Sequence, residues 1–107
     1  MTVIAEASLD LAGSAEKVVV RLHAPERSKR GPDWSCTFEV GEPINYQLAV
    51  EGVSSLQALA LALQMLAAFL YSSEHYEKGE LGAFGEFGGY LGIPAPKECL
   101  DLAPYPF

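Results

Sequence analysis

Sixteen consecutive residues, Leu56 to Tyr71, carry no charge and only two polar side chains, Gln57 and Gln64. A chain with such a run must bury it somewhere. The run is shorter than the roughly 20 residues that cross a bilayer, and no Lys or Arg anchors flank it. It therefore predicts a core helix and no membrane association. Ser54-Ser55-Leu56-Gln57 has the form of a capping box at the helix start. Leu56, Leu59, Leu63, Leu66 and Leu70 repeat at intervals of three and four, which puts them on one stripe. Lys78 followed by Gly79 supplies a stop, so the helix is expected over about 55–78.

Upstream of it, apolar residues alternate with polar ones in four stretches, the signature of strands with one wet face. They span about 2–11, 17–25, 33–40 and 44–51. In the second, Val18, Val20, Leu22 and Ala24 share a parity opposite to Arg21 and His23; in the third, Trp34, Cys36, Phe38 and Val40 do. Turn chemistry at Ala12-Gly13-Ser14 and Gly41-Glu42-Pro43 joins neighbours by short loops.

Downstream, glycine recurs every third residue at Gly79, Gly82, Gly85 and Gly88, and Leu81, Phe84, Phe87 and Tyr90 keep the same interval. An extended chain near three residues per turn would place those four apolar side chains on one edge. Prolines 94, 96, 104 and 106 exclude a regular helix beyond. The expected architecture is a single α+β domain over 1–107. It comprises a four-stranded antiparallel meander, one long apolar helix packed on one face, and an irregular Gly/Pro-rich C-terminal strap over 79–107.

The runs VVVRLHAPE from Val18, DWSCTFEV from Asp33, GVSSLQALALALQMLAAFLY from Gly52 and GYLGIP from Gly89 together resemble an uncharacterised bacterial domain-of-unknown-function family. The resemblance implies a bacterial origin and a small compact fold. It transfers no activity and no site residue.

The chemistry-bearing residues are few. Cys36 has the parity of the core, and Cys99 lies in the tail; two cysteines with no Cys-x-x-Cys read as reduced thiols. His23 sits on the polar parity and His75 near the helix end, and two separated histidines make no metal site. Glu74, Glu77 and Glu80 read as a solvated face, with Glu74 and Lys78 placed for an (i, i+4) pair. Arg27-Ser28-Lys29-Arg30 is a basic loop tip. The glycine run lacks the Lys and Ser/Thr of a phosphate cradle. No catalytic residue, no cofactor and no metal is expected, and the chain is not read as an enzyme.

Fourteen acidic residues against seven basic ones give a net charge of −7, which repels nucleic acid and favours a protein partner with a basic surface. The start lacks the basic n-region and apolar run of a secretion signal, so a cytoplasmic location is expected. A non-enzymatic protein-binding module, immunity-type or adaptor, accounts best for these features. The alternative is a small-ligand binder with a pocket between sheet and helix lined by Trp34, Phe38, Tyr46 and Phe69. With the leucine stripe turned inward, Gln57, Leu61, Gln64, Ala68 and Tyr71 form a second uncharged stripe that needs a cover. The expected interface is Leu61, Gln64, Ala68 and Tyr71 with Phe84, Phe87 and Tyr90 at its rim, covered either by the strap or by a second copy; the mixed Gln/Leu/Ala/Tyr stripe favours a homodimer.

Overall fold

The structure, a computed structural model, describes residues 2–93. Five strands come first: β1 (Val3–Leu11), β2 (Val18–His23), β3 (Glu26–Arg27), β4 (Trp34–Val40) and β5 (Tyr46–Gly52). β1 pairs antiparallel with β2 from Val3↔His23 to Leu9↔Val18, β2 with β4 from Leu22↔Phe38 to Val20↔Val40, and β4 with β5 from Trp34↔Gly52 to Val40↔Tyr46. The four expected strands thus form the antiparallel meander. β3 is an addition. After Pro25, which has no N–H to give a ladder, Glu26 and Arg27 rejoin β4 opposite Ser35 and Trp34. β5 occupies the other edge of β4 along its whole length, so β2 and β3 share one edge in succession. Two residues are too few to show an alternation, which is why the sequence hid this strand.

The inward parity of β2 and β4 holds: Val18, Val20, Cys36, Phe38 and Val40 are buried. Over them lies the main helix, α1 (Ser55–Tyr71). Its start keeps the Ser54 half of the expected capping box, while the Gln57 side chain reaches past the Ser54 N–H to Val53. Ser54 Oγ accepts from Gln57 N at 3.0 Å, and Gln57 Oε1 accepts from Val53 N at 2.7 Å. Gly52 is required at the strand exit, because a Cβ there would stand 2.6 Å from Ala58 N.

Two expectations for the helix fail. It ends at Tyr71, not near 78, because two serines dismantle it: Ser72 Oγ donates to Ala68 O and Ser73 Oγ to Leu70 O. Ser73 Oγ then accepts from Tyr76 N and opens a separate turn, α2 (Glu74–Glu77), which ends at Lys78 and at Gly79 with φ +71°. Serine hydroxyls compete with the backbone for the same carbonyls, which makes such pairs natural breakpoints. The stripe facing the sheet is also rotated. Ala58, Ala62, Leu66, Ala67 and Leu70 are buried, Leu59 and Leu63 are half-buried, and Leu56 is 74% exposed. Small residues at Ala58 and Ala62 let the helix backbone approach the sheet, and bulky Phe38, Leu48 and Val50 fill the space between.

The C-terminal strap is a hairpin instead of an extended ribbon. β6 (Leu81–Ala83) pairs with β1 at Asp10↔Gly82 and Leu11↔Leu81, and β7 (Glu86–Phe87) pairs back on β6. The three-residue glycine period reflects turns: Gly79, Gly85 and Gly88 all have positive φ, whereas the extended ribbon needs φ near −75°. Leu81 is accordingly buried while Phe84, Phe87 and Tyr90 are exposed. Tyr71 fixes the segment beyond the hairpin, its hydroxyl accepting from Leu91 N and donating to Ile93 O, both at 3.0 Å. The remainder of the expected strap, 94–107 with Cys99, lies outside the described residues.

Candidate protein-docking surfaces

α1 has no charged residue over its 17 positions. Its outward side chains are Leu56, Gln57, Ala60, Gln64 and Met65, with Leu56 at 74% and Met65 at 47% exposure, and Val53 at 74% just before the helix. Exposed helix faces normally carry charge, and this one carries none, with Gln57 and Gln64 between Leu56 and Met65. Of the expected helix residues, Gln64 is exposed and Leu61 and Ala68 are half-buried at the edge of this face. Tyr71 is not available: it is 1% exposed, edge-on to Tyr76 at 5.1 Å between ring centroids, with its hydroxyl committed to the backbone of 91–93. The exposed apolar residues missed from the sequence, Val53, Leu56 and Met65, follow from the rotation of the helix, which the leucine pattern concealed.

The second surface is the tip of the β6–β7 hairpin. Ala83 pairs with Glu86, leaving Phe84 and Gly85 as a two-residue loop with φ +55° and +80°. Such loops favour Asn-Gly, because only Gly, Asn and Asp tolerate the left-handed region readily. A Phe there costs about 1–2 kcal/mol of backbone strain, and its ring is 90% exposed, so folding gains little in return. The turn is anchored from β1, where the Asp10 carboxylate accepts from Gly85 N at 2.9 Å and pairs with Lys17. Phe87 lies over Gly82, where a Cβ would clash with its Cδ1 at 2.8 Å. Phe87 and Tyr90 remain partly exposed on the same segment.

Beside the hairpin, a cleft of about 170 Å³ opens between β1, β2 and α1, lined by Ala5, Ala7, Leu22, Leu63, Leu66 and Ile93 among others. This is not the expected ligand pocket. Tyr46 stacks on Phe69 at 4.1 Å and contacts the buried Phe38 at 5.9 Å, so those rings fill space instead of lining a cavity. The cleft beside the hairpin is below the roughly 300 Å³ of typical ligand sites and has Glu6 as its one ionisable wall residue, while a groove of about 520 Å³ lies on the other face of the sheet between the 26–30 segment and Ser35, Thr37 and Glu51.

His23 departs from the sequence reading as well. It is 6% exposed, its Nε2 2.9 Å from Glu39 Oε1, and Nδ1 has no hydrogen-bond partner among the described residues. Cross-strand Glu39 and the irregular start of β1, where the register shifts between Val3 and Ala5, close over it. Cys36 is buried as expected, donating to His23 O at 3.3 Å, and burial pushes its thiol pKa up, which suppresses thiolate chemistry. The basic loop is partly tied down: Arg27 donates to Pro32 O and sits 4.8 Å over Trp34. Glu74 and Lys78 pair at 2.9 Å. Among the described residues, no three His, Cys, Asp or Glu side chains gather as a metal site requires, and no helix is long and apolar enough to cross a membrane.

A mostly antiparallel sheet under one main helix defines an α+β domain. The family model for DUF6968, a domain of unknown function, matches residues 5–95, and the chain belongs to that family. No curated protein and no solved structure matches the chain.

Proposed function

We propose that this domain is a non-enzymatic protein-binding module, in an immunity-type or adaptor role, that docks its partner on the outer face of α1. The observation that carries the reading is the exposure of Leu56 and Met65 on an element without a single charge, with Val53 exposed just before it. Carboxylates follow the helix at one end, Glu74 and Glu77, both exposed, in a chain of net charge −7. The partner surface that complements it is uncharged opposite the helix and basic at that end, which would speed encounter and fix orientation.

The test is a double substitution, Leu56→Asp with Met65→Asp. Exposed sites of this kind change stability by about 0.5 kcal/mol or less each, so the melting temperature should hold. Affinity for the partner that copurifies with the unmodified chain, measured with that partner purified, should fall at least tenfold. Full retention of binding would contradict the assignment.

A further inference from the structure

Phe84 and the β1–β2–α1 cleft are a knob and a hole on one face of the molecule, and we propose that they join two copies of this chain into an isologous dimer, each Phe84 ring seated in the other protomer's cleft. Size is the first argument. An apolar cavity of roughly 150 Å³ takes up a benzene molecule, and the cleft measures about 170 Å³ with walls of Ala5, Ala7, Leu22, Leu63 and Leu66. Conformation is the second. Phe84 is held at φ +55° with its ring 90% exposed, and a ring kept outward at a conformational cost needs a receptor outside its own protomer.

Placement is the third. Gly92 and Ala7 line both the cleft and the adjoining groove that Phe84 overhangs, and a Cβ on Gly92 would stand 3.7 Å from Phe84 Cε2. Knob and hole are therefore side by side, separated by a ridge of two small residues. A two-fold axis through that ridge exchanges them and closes the assembly, whereas knob and hole on opposite sides would propagate into a filament. Burying two phenylalanine side chains and two small cleft walls removes on the order of 600 Å², less than a standard specific interface, so the dimer is a weak, reversible one that forms at high protein concentration.

This inference does not depend on the α1 docking face, and its variants leave α1 unchanged. Sedimentation of the full chain from low micromolar to millimolar concentration should show the 11.5 kDa species give way to one of twice that mass. Phe84→Asn removes the knob while supplying the residue that the turn prefers, so the fold is retained and dimerisation falls at least tenfold. Ala5→Phe fills the hole with the same result. A mixture of the two variants keeps one knob facing one open hole, and should contain more dimer than either variant alone. A monomer at every concentration would overturn the proposal, and so would a dimer indifferent to Phe84→Asn or a mixture no better than its components. The first of these would leave the cleft to residues 94–107 or to an aromatic side chain of another protein.

Discussion

Asp10 joins two elements through one carboxylate, accepting from Lys17 on one side and from the Gly85 N–H of the hairpin turn on the other. Lys17 first, and then the Gly85 N–H, hold its pKa below the usual carboxylate value near 3.8. Because the folded-state pKa is depressed, the turn is stabilised by this group above the unfolded value, and the stabilisation is lost as pH falls through the lower folded one. The Gly85 amide should therefore lose its protection relative to the intrinsic exchange rate, and shift in its NMR position, as pH is lowered below about 4. Asp10→Asn should remove that pH dependence. A Gly85 signal that titrates identically in both proteins would show that Asp10 does not hold the turn.

At the scale of elements, α1 is set by its alanines. Leu66 is 3% exposed and Leu56 lies in solvent, although a leucine count treats them alike. Leu66→Ala should cost about 2–5 kcal/mol through lost burial and the cavity left behind, and Leu56→Ala about 0.5 kcal/mol or less. Chemical denaturation of the two variants separates them, and equal costs would mean that the helix is rotated back toward the leucine stripe. The same element shows what the amino-acid sequence makes legible. Alternation at Val18–Val20 and Cys36–Phe38–Val40 locates the sheet face, and Ser54 with Gln57 locates the helix start, because both signals are local. The helix end is illegible: Ser72 and Ser73 act through hydroxyl bonds to carbonyls behind them, and the apolar pattern continues through Tyr76. The hairpin is hidden for a related reason, since glycines at every third position fit an extended ribbon as well as a series of left-handed turns.

For the whole molecule, the proposed function rests on its surfaces. The outward side of the helix is uncharged, but Leu56 and Met65 stand at its two edges with Gln57, Ala60 and Gln64 between them, and Tyr71 is drawn inside to hold Leu91 and Ile93. Which side chains stand outward depends on how closely α1 approaches β4 and β5, a tertiary distance that no periodicity encodes. The exposure of Phe84 is equally hidden, because it follows from the sign of one backbone angle. The chain's two methionines are Met1 and Met65, and Met65 lies on the proposed docking face, where its thioether reports solvent access through oxidation. Hydroxyl-radical footprinting of the purified chain and of the same chain inside its native cells, with Trp34 as internal reference, is the most direct test of the central claim. Docking on α1 predicts ready oxidation of Met65 in the purified chain and at least severalfold protection in cells. Equal labelling in both, or a Met65 already protected in the purified chain, would contradict it.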